Sequence, residues 1–337
     1  MQVRLYHEES EEESVLMISV KEAMRDEGWR EAMQKEIDMF KRLGTGEVVK
    51  RPDGRKVIKG KWVFAVKSNG TKKARYVARG DYQEAYLDYS PSKTYAAKLL
   101  MRSLLILTAF AAQSDVTLSH IDISSAYLHA FLDEEIYVEM PHGYEKTHVR
   151  EETECIRKEK DKVLKLRKAM YGLKQSDFAW NREFDGTITN EKGLGFKKCK
   201  LDPCLYYSII MGKPCWIGLR TDDIILMHYT DAQKEHVLRG LREKYDVRDE
   251  GRVNIYCGLQ FTFTPTHIKV HQPKYASLLL EHYGYDKSNP TPTPVATDVL
   301  SSVPRGEKQE SKKESKSGDS GKTLKAFDQR EIMGSIL

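Results

Sequence analysis

Cys215-Trp-Ile-Gly-Leu-Arg-Thr-Asp-Asp-Ile-Ile-Leu-Met227 decides how the chain reads, because two apolar runs are interrupted once, at Thr221-Asp222-Asp223. Apolar runs broken at a single point predict two buried strands joined by a tight turn, which puts the acids at a hairpin tip and not in the core. Two like charges side by side are costly to bury, so the pair is either solvated or arranged for a divalent cation. Upstream, Leu118-Ser-His-Ile-Asp-Ile-Ser-Ser-Ala-Tyr-Leu128 sets Asp122 at the end of a short β-prone run, with Ser124 and Ser125 opening a helical turn. Three carboxylates on two strands suit a pair of Mg²⁺ ions about 3.5–4 Å apart, the arrangement that phosphoryl transfer uses.

Five blocks then share an order and spacing. Ile121-Asp-Ile-Ser-Ser-Ala-Tyr-Leu-His129 is followed by Glu135-Ile-Tyr-Val-Glu-Met-Pro-His-Gly143, Tyr171-Gly-Leu-Lys-Gln175, Asp202-Pro-Cys-Leu-Tyr206 and Thr221-Asp-Asp223. Together they resemble the reverse transcriptase of copia-type LTR retrotransposons, across residues 29–297 with a trace at Phe327 to Ser335. The resemblance implies an α+β right-hand polymerase with fingers, palm and partial thumb, its antiparallel palm sheet backed by helices. It implies transfer of a deoxynucleotide to a primer 3′-hydroxyl on an RNA or DNA template. Two Mg²⁺ ions, for which Mn²⁺ can substitute, would be held by Asp122, Asp222 and, more weakly, Asp223.

Further site residues are implied in the same way. Lys73, Arg75 and Arg79 are candidates for the dNTP triphosphate or template backbone. Tyr127, five residues past Asp122, resembles a steric gate against a 2′-hydroxyl. Lys174 and Gln175 would touch template and nucleotide, and Gly258, Lys269 and Lys274 the primer and template. The chain departs from the family's usual pattern at three places: Gly46 replaces a tryptophan, Ser176-Asp177 replaces Ala-Pro, and Arg220-Thr221 precedes the acids where Tyr-Val is usual. Asp177 is expected as a helix N-cap. For Arg220 two readings stay open: folding onto Asp222 or Asp223 in competition with the metal, or pointing along the other strand face. These departures motivate an alternative function, a degenerate transposon fragment that keeps the fold and binds nucleic acid without chemistry. A glycosidase is disfavoured, since its two carboxylates must face each other across a sugar.

Composition is compatible with a polyanion partner. The 337 residues carry a net charge of +5, with 31% charged and 40% hydrophobic residues, as in a globular protein of one large or two ordinary domains. No apolar run reaches the ~18–20 residues of a membrane span, and the acidic start at Glu8, Glu9 and Glu11–Glu13 is unlike a signal peptide. An intracellular site of action is expected, in a cytoplasmic particle or the nucleus. The five cysteines are scattered without a Cys-x₂-Cys pair, so they read as free thiols and zinc is not expected.

The domain order expected is an acidic leader (1–28), fingers and palm (29–263), the start of a thumb (264–297), a disordered Ser/Lys/Glu/Gly linker (298–322), and a truncated connection towards an RNase H domain (323–337). Within it, residues 14–43 are expected to be helical, ending at Gly44. Residues 47–67 read as β structure and 72–80 as a basic strand, and 95–113 as a core helix hydrophobic nearly all round. A charged surface hairpin is expected before Val163, and an amphipathic surface helix over 231–245.

Overall fold

The computed structural model describes residues 13–67, 69–114, 116–144 and 161–288. The first twelve residues of the acidic leader, most of the charged insertion before Val163, the 298–322 linker and the 323–337 connection lie outside the described residues.

In chain order the elements are β1 (Glu13–Leu16), α1 (Val20–Ala23), α2 (Glu27–Leu43), β2 (Gly46–Lys50), β3 (Gly60–Lys67), β4 (Lys72–Ala78), α3 (Met101–Ser114), β5 (Thr117–Ile123), β6 (Tyr137–Glu139) and β7 (Lys162–Leu166). There follow α4 (Ser176–Ile188), β8 (Lys197–Lys198), β9 (Leu205–Ile210), β10 (Lys213–Arg220), β11 (Asp223–His228), α5 (Asp231–Arg242), β12 (Val247–Arg252), β13 (Ile255–Tyr256), β14 (Leu259–Phe263) and β15 (Ile268–His271). Met1–His271 is one compact unit and Gln272–Leu337 a second. The described part of the second is α6 (Pro273–Tyr283), which opens on a proline and closes at Gly284 in the left-handed region. Among the described residues no helix is long and apolar enough to cross a membrane.

The first unit is an α+β arrangement of antiparallel sheets. Its largest sheet runs β12-β5-β11-β10-β9-β8. The central strand β11 is buried at every position, which its Ile-Ile-Leu-Met run permits because a middle strand has no solvent face. The main core joins this sheet to α3, α4 and α5 through Leu104, Leu107, Trp180, Phe184, Leu238 and Leu241. Trp180 is almost fully enclosed and meets Tyr245 edge-on at 5.3 Å. Burying such a side chain contributes about 1.5–3 kcal/mol, so the angle of α4 over the sheet is firmly fixed. A second core joins α2 to β4, β6 and β7 through Ile37, Phe40, Tyr76, Val138 and Leu164.

Three expectations about elements change. Residues 13–16 form a strand that pairs antiparallel with β3, Val15 opposite Ala65, where helix was expected. A free edge on β3 offers backbone hydrogen bonds that Glu13-Ser-Val-Leu16 fills, a tertiary pairing that overrides the local helical spacing. The α3 helix begins at Met101 and not at Tyr95, because Leu99 N–H bonds the Leu219 carbonyl and Leu100 N–H bonds the Asp202 carboxylate, holding the preceding residues against β10. Nor is α3 enclosed all round: Ser103, Leu104, Leu107, Thr108 and Ala111 are buried, whereas Met101, Leu105, Ile106 and Phe110 face out.

Candidate active site

The acids stand on a hairpin whose turn is held from both sides. β10 and β11 pair up to Arg220 opposite Asp223, leaving Thr221 and Asp222 as a two-residue loop. Thr221 has φ +56°, a positive value at the first loop residue of the kind a type II′ turn requires and that a β-branched residue rarely adopts. The indole Nε1–H of Trp180 donates to the Thr221 carbonyl, and Ile123 N–H donates to the Asp222 carbonyl at 2.9 Å. The surrounding structure thus imposes a strained turn.

Cross-strand register then sets each carboxylate's neighbours. β5 lies between β11 and β12, and Asp122 is opposite both Asp223 and Arg248. Residues opposite one another share a face, as do residues two apart on one strand, so Asp122, Asp223, Arg248 and His120 all project to one side. Arg248 donates from Nε at 3.0 Å and Nη2 at 2.6 Å to Asp122 Oδ2. His120 Nε2 lies 2.6 Å from Asp223 Oδ1, with both side chains buried.

Asp122, Asp222, Ser124, Ser125, Tyr171 and Arg248 line a cavity of 660 Å³ whose other wall is Glu36 of α2 and Lys72, Lys73 and Arg75 of β4. The Tyr171 segment reaches β4 through a backbone contact: its carbonyl accepts from Ala78 N–H at 2.8 Å, and Gly172 follows at φ +89°. A Cβ on Gly172 would stand 2.1 Å from the Ala78 carbonyl oxygen, so only glycine allows this approach. Arg75 in turn lies over the Tyr171 ring, 5.2 Å from its centre. Glu36 accepts from Tyr76 N–H at 3.2 Å, and burial raises its carboxyl pKa to about 7 against the pull of that bond and of Arg75 and Lys73.

The comparisons with known proteins fall on the same segments. Residues 44–297 match the family described as reverse transcriptase (RNA-dependent DNA polymerase). The chain belongs to the reverse transcriptase family. It is 30% identical over 273 residues to the retrovirus-related Pol polyprotein from transposon TNT 1-94 of Nicotiana tabacum, covering 79% of this chain and 19% of that polyprotein. It is 28% identical over 295 residues to the corresponding polyprotein from transposon RE1 of Arabidopsis thaliana, covering 85% and 19%. The reverse transcriptase chain thus spans about a fifth of the length of the curated relatives it matches. Among solved structures it is similar to the prototype foamy virus protease-reverse transcriptase (TM-score 0.37, 11% identity, 73% of this chain and 27% of that one). A truncated apo telomerase from Candida tropicalis gives a TM-score of 0.35 at 9% identity, with 72% and 60% covered. The resemblance read from the five blocks is borne out, as is the α+β polymerase fold.

Within this reverse transcriptase the residues singled out from sequence fall into two groups. Asp122, Asp222, Lys73 and Arg75 face one cavity, whereas Asp223, Arg79, Tyr127, Lys174, Gln175, Gly258 and Lys269 are outside its lining. Arg79 is tied to Asp81 and covers the Tyr82 ring at 4.4 Å. Gln175 is buried; its amide donates to the Asp88 carbonyl and accepts from Gln83, so it fastens the loop before α3. Lys174 Nζ is 3.2 Å from the Tyr89 hydroxyl. Gly258 follows Cys257 in the turn between β13 and β14, both at positive φ, and Lys269 stands opposite Thr262 on β15. Lys274 belongs to α6 in the second unit.

Two sequence expectations are corrected. Asp177 is not the N-cap of α4: Gln175 occupies that position, and Asp177 sits in the first turn, accepting from the Tyr127 hydroxyl at 2.5 Å. Arg220 does not fold onto Asp222 or Asp223. It comes within hydrogen-bonding reach of the Cys257 sulfur, whose thiol pKa burial pushes up to about 12. An arginine does occupy a catalytic-acid candidate, but it is Arg248, 126 residues from its partner in sequence. Nothing in the sequence spacing signals that pairing, nor that Glu36 and Ser125 join the cavity wall.

Proposed function

We propose that this reverse transcriptase domain carries out RNA-directed DNA synthesis, adding deoxynucleotides to a primer 3′-hydroxyl. The observation supporting it is the opening of Asp122 and Asp222 onto the same cavity as Lys73 and Arg75, which stand on the facing wall. A nucleoside triphosphate has its reacting phosphorus next to a chain of negative oxygens, so a site of this polarity orients it. Lys73 and Arg75 bind the β- and γ-phosphates, and Asp122 and Asp222 face the α-phosphate and primer end.

The oxygen donors suit a hard divalent cation, although among the described residues no group of three or more His, Cys, Asp or Glu side chains gathers to hold one. Asp122 and Asp222 would hold Mg²⁺, or Mn²⁺ in its place, which supplies charge neutralisation and lowers the pKa of the attacking hydroxyl. Asp223, bonded to His120 on the same sheet face as Asp122, would be the weaker ligand of the three acids. Gly258 and Lys269 on the β13–β15 sheet would contact primer and template, Lys274 of the second unit is a further candidate by itself, and Lys174 and Arg79 remain nucleotide-contact candidates outside the cavity lining. The partners are dNTP and a primed RNA or DNA template, inside the cell and independent of a membrane.

A second reading, a degenerate fragment that binds nucleic acid without catalysis, is favoured by the Arg248–Asp122 pair, since an arginine on a ligand oxygen opposes a cation there. Primer extension on an RNA template with an annealed DNA primer, in Mg²⁺ and in Mn²⁺, separates the two. Extension that Asp222→Asn lowers by about 10³-fold or more supports polymerase chemistry. No extension by the purified chain, with salt-sensitive duplex binding retained, supports the degenerate fragment.

A further inference from the structure

The cavity wall that carries Lys73 and Arg75 also carries an acid, Glu36 of α2, to which the polymerase reading gives no part. Lys73 and Arg75 are two apart on β4 and share a strand face. Glu36 is tied to the backbone of the same strand, its Oε1 accepting from Tyr76 N–H at 3.2 Å. Ile37, next along α2, is enclosed in the second core, so the helix cannot turn the carboxyl away. An anion drawn to the two cations therefore meets this carboxyl group as well.

The charges around Glu36 decide its state. On its own helix Lys35 borders the cavity; from the small sheet come Lys67, Lys72, Lys73 and Arg75, of which Lys72 is held by Asp26 at 2.6 Å. The Tyr171 hydroxyl faces it too, being itself affected by the Glu36 charge. The large sheet contributes His120 and Asp122 of β5, Asp222 at the hairpin tip, and Asp246, Arg248, Glu250 and Arg252 in and before β12. Burial outweighs the Tyr76 hydrogen bond and the pull of Arg75 and Lys73, so the carboxyl titrates at about 7. An anion arriving at Lys73 and Arg75 shifts that balance in one direction only. It neutralises the cations that favour the carboxylate, and it adds charge of the carboxylate's own sign. A protonated carboxyl is also a hydrogen-bond donor, which a carboxylate is not. The neutral acid can donate to an anion's oxygen, whereas the ionised one repels it.

We infer that Glu36 is the proton-carrying member of an oxyanion site formed with Lys73 and Arg75, binding a tetrahedral oxyanion while neutral and taking up a proton from solvent as the anion enters. This rests on the reading of Lys73 and Arg75 as ligands of a nucleotide's phosphates. It adds to that reading a residue that contacts the anion and a coupling between anion and proton.

Inorganic sulfate is the probe, because it stays fully ionised near neutral pH and any proton taken up belongs to the protein. The readouts are the sulfate-induced thermal shift of the full chain between about pH 6.5 and 8.5 at constant ionic strength, and the heat of sulfate binding in buffers of different ionisation enthalpy, which counts protons. Wild type should lose sulfate affinity about tenfold per pH unit above about 7, with uptake approaching one proton per sulfate. Glu36→Gln, neutral and still a donor, should bind sulfate about tenfold or more tightly than wild type at the alkaline end, with a flat pH profile. Lys73→Ala and Arg75→Ala should each weaken sulfate at every pH. Absence of proton uptake by the wild type, or an equal pH profile in wild type and Glu36→Gln, overturns the inference; loss of binding in Lys73→Ala and Arg75→Ala then keeps the phosphate site. Sulfate binding that neither of those two variants changes overturns the phosphate site, and the inference with it.

Discussion

Arg248 and Asp122, on neighbouring strands of the large sheet, are joined by two hydrogen bonds to a single carboxylate oxygen, at 3.0 and 2.6 Å. The Arg248 side chain is half exposed and Asp122 largely enclosed, so the arginine can leave towards solvent while the acid stays. The pair is therefore a reversible occupant of a metal-ligand candidate. At such exposure it is worth about 1 kcal/mol, close to a fivefold effect on any cation that competes for Asp122.

Arg248→Gln should accordingly bind Mn²⁺ several-fold more tightly. Loss of free Mn²⁺ signal by electron paramagnetic resonance measures this without reference to catalysis. Unfolding free energy should change by less than about 1 kcal/mol. Unchanged Mn²⁺ affinity would mean that the pair does not compete with metal.

Glu36 gives a pH dependence whose sign follows from its raised pKa. Below about pH 4.5 it is protonated in folded and unfolded chains alike; between its ordinary value of 4.5 and about 7 only the folded chain keeps the proton. Its contribution to stability is therefore complete at the acid end and is lost as pH rises through about 7. Glu36→Gln, neutral throughout and still able to accept from Tyr76 N–H, should gain on the wild type by roughly 1–3 kcal/mol across that interval. Urea denaturation at several pH values reads the difference, and parallel stability curves would contradict it.

Thr221→Gly tests the strained turn. A β-branched residue at positive φ costs about 1–3 kcal/mol, partly offset by the greater freedom of glycine in the unfolded chain. A net gain of about 1 kcal/mol in unfolding free energy is expected. A loss would show that the threonine methyl packing outweighs its backbone strain.

Gly172→Ala should do the reverse. Its Cβ would collide with the Ala78 carbonyl at a backbone angle that alanine resists, for a loss of more than about 2 kcal/mol. A variant as stable as the wild type would refute the close approach.

Sequence carries those parts of the site that lie on one continuous stretch. The hairpin tip was legible because two apolar runs around Thr221-Asp222-Asp223 have only one place to turn, and Asp122 because a short apolar strand must end near it. Lys73 and Arg75 share a strand face by simple alternation. What stayed hidden depends on register between segments far apart in the chain. A one-residue slip of β12 would send Arg248 to the opposite face, and no local pattern fixes that register. Gln175 was singled out as a ligand contact through the family resemblance of its segment; its burial against Asp88 and Gln83 follows from packing far away in the chain. Arg220 looked the more threatening arginine because it is adjacent in sequence, yet the hairpin carries it towards Cys257.

Asp122 and Asp222 ride on the six-stranded sheet, and Lys73 and Arg75 on the three-stranded sheet of β1, β3 and β4. Neither sheet contains a site alone. No ladder hydrogen bond joins the two sheets, so a triphosphate reaching both would tie together slabs that strand pairing leaves separate. A polyanion that bridges the gap then becomes a structural member, and the protein should be stiffest while its substrate is in place.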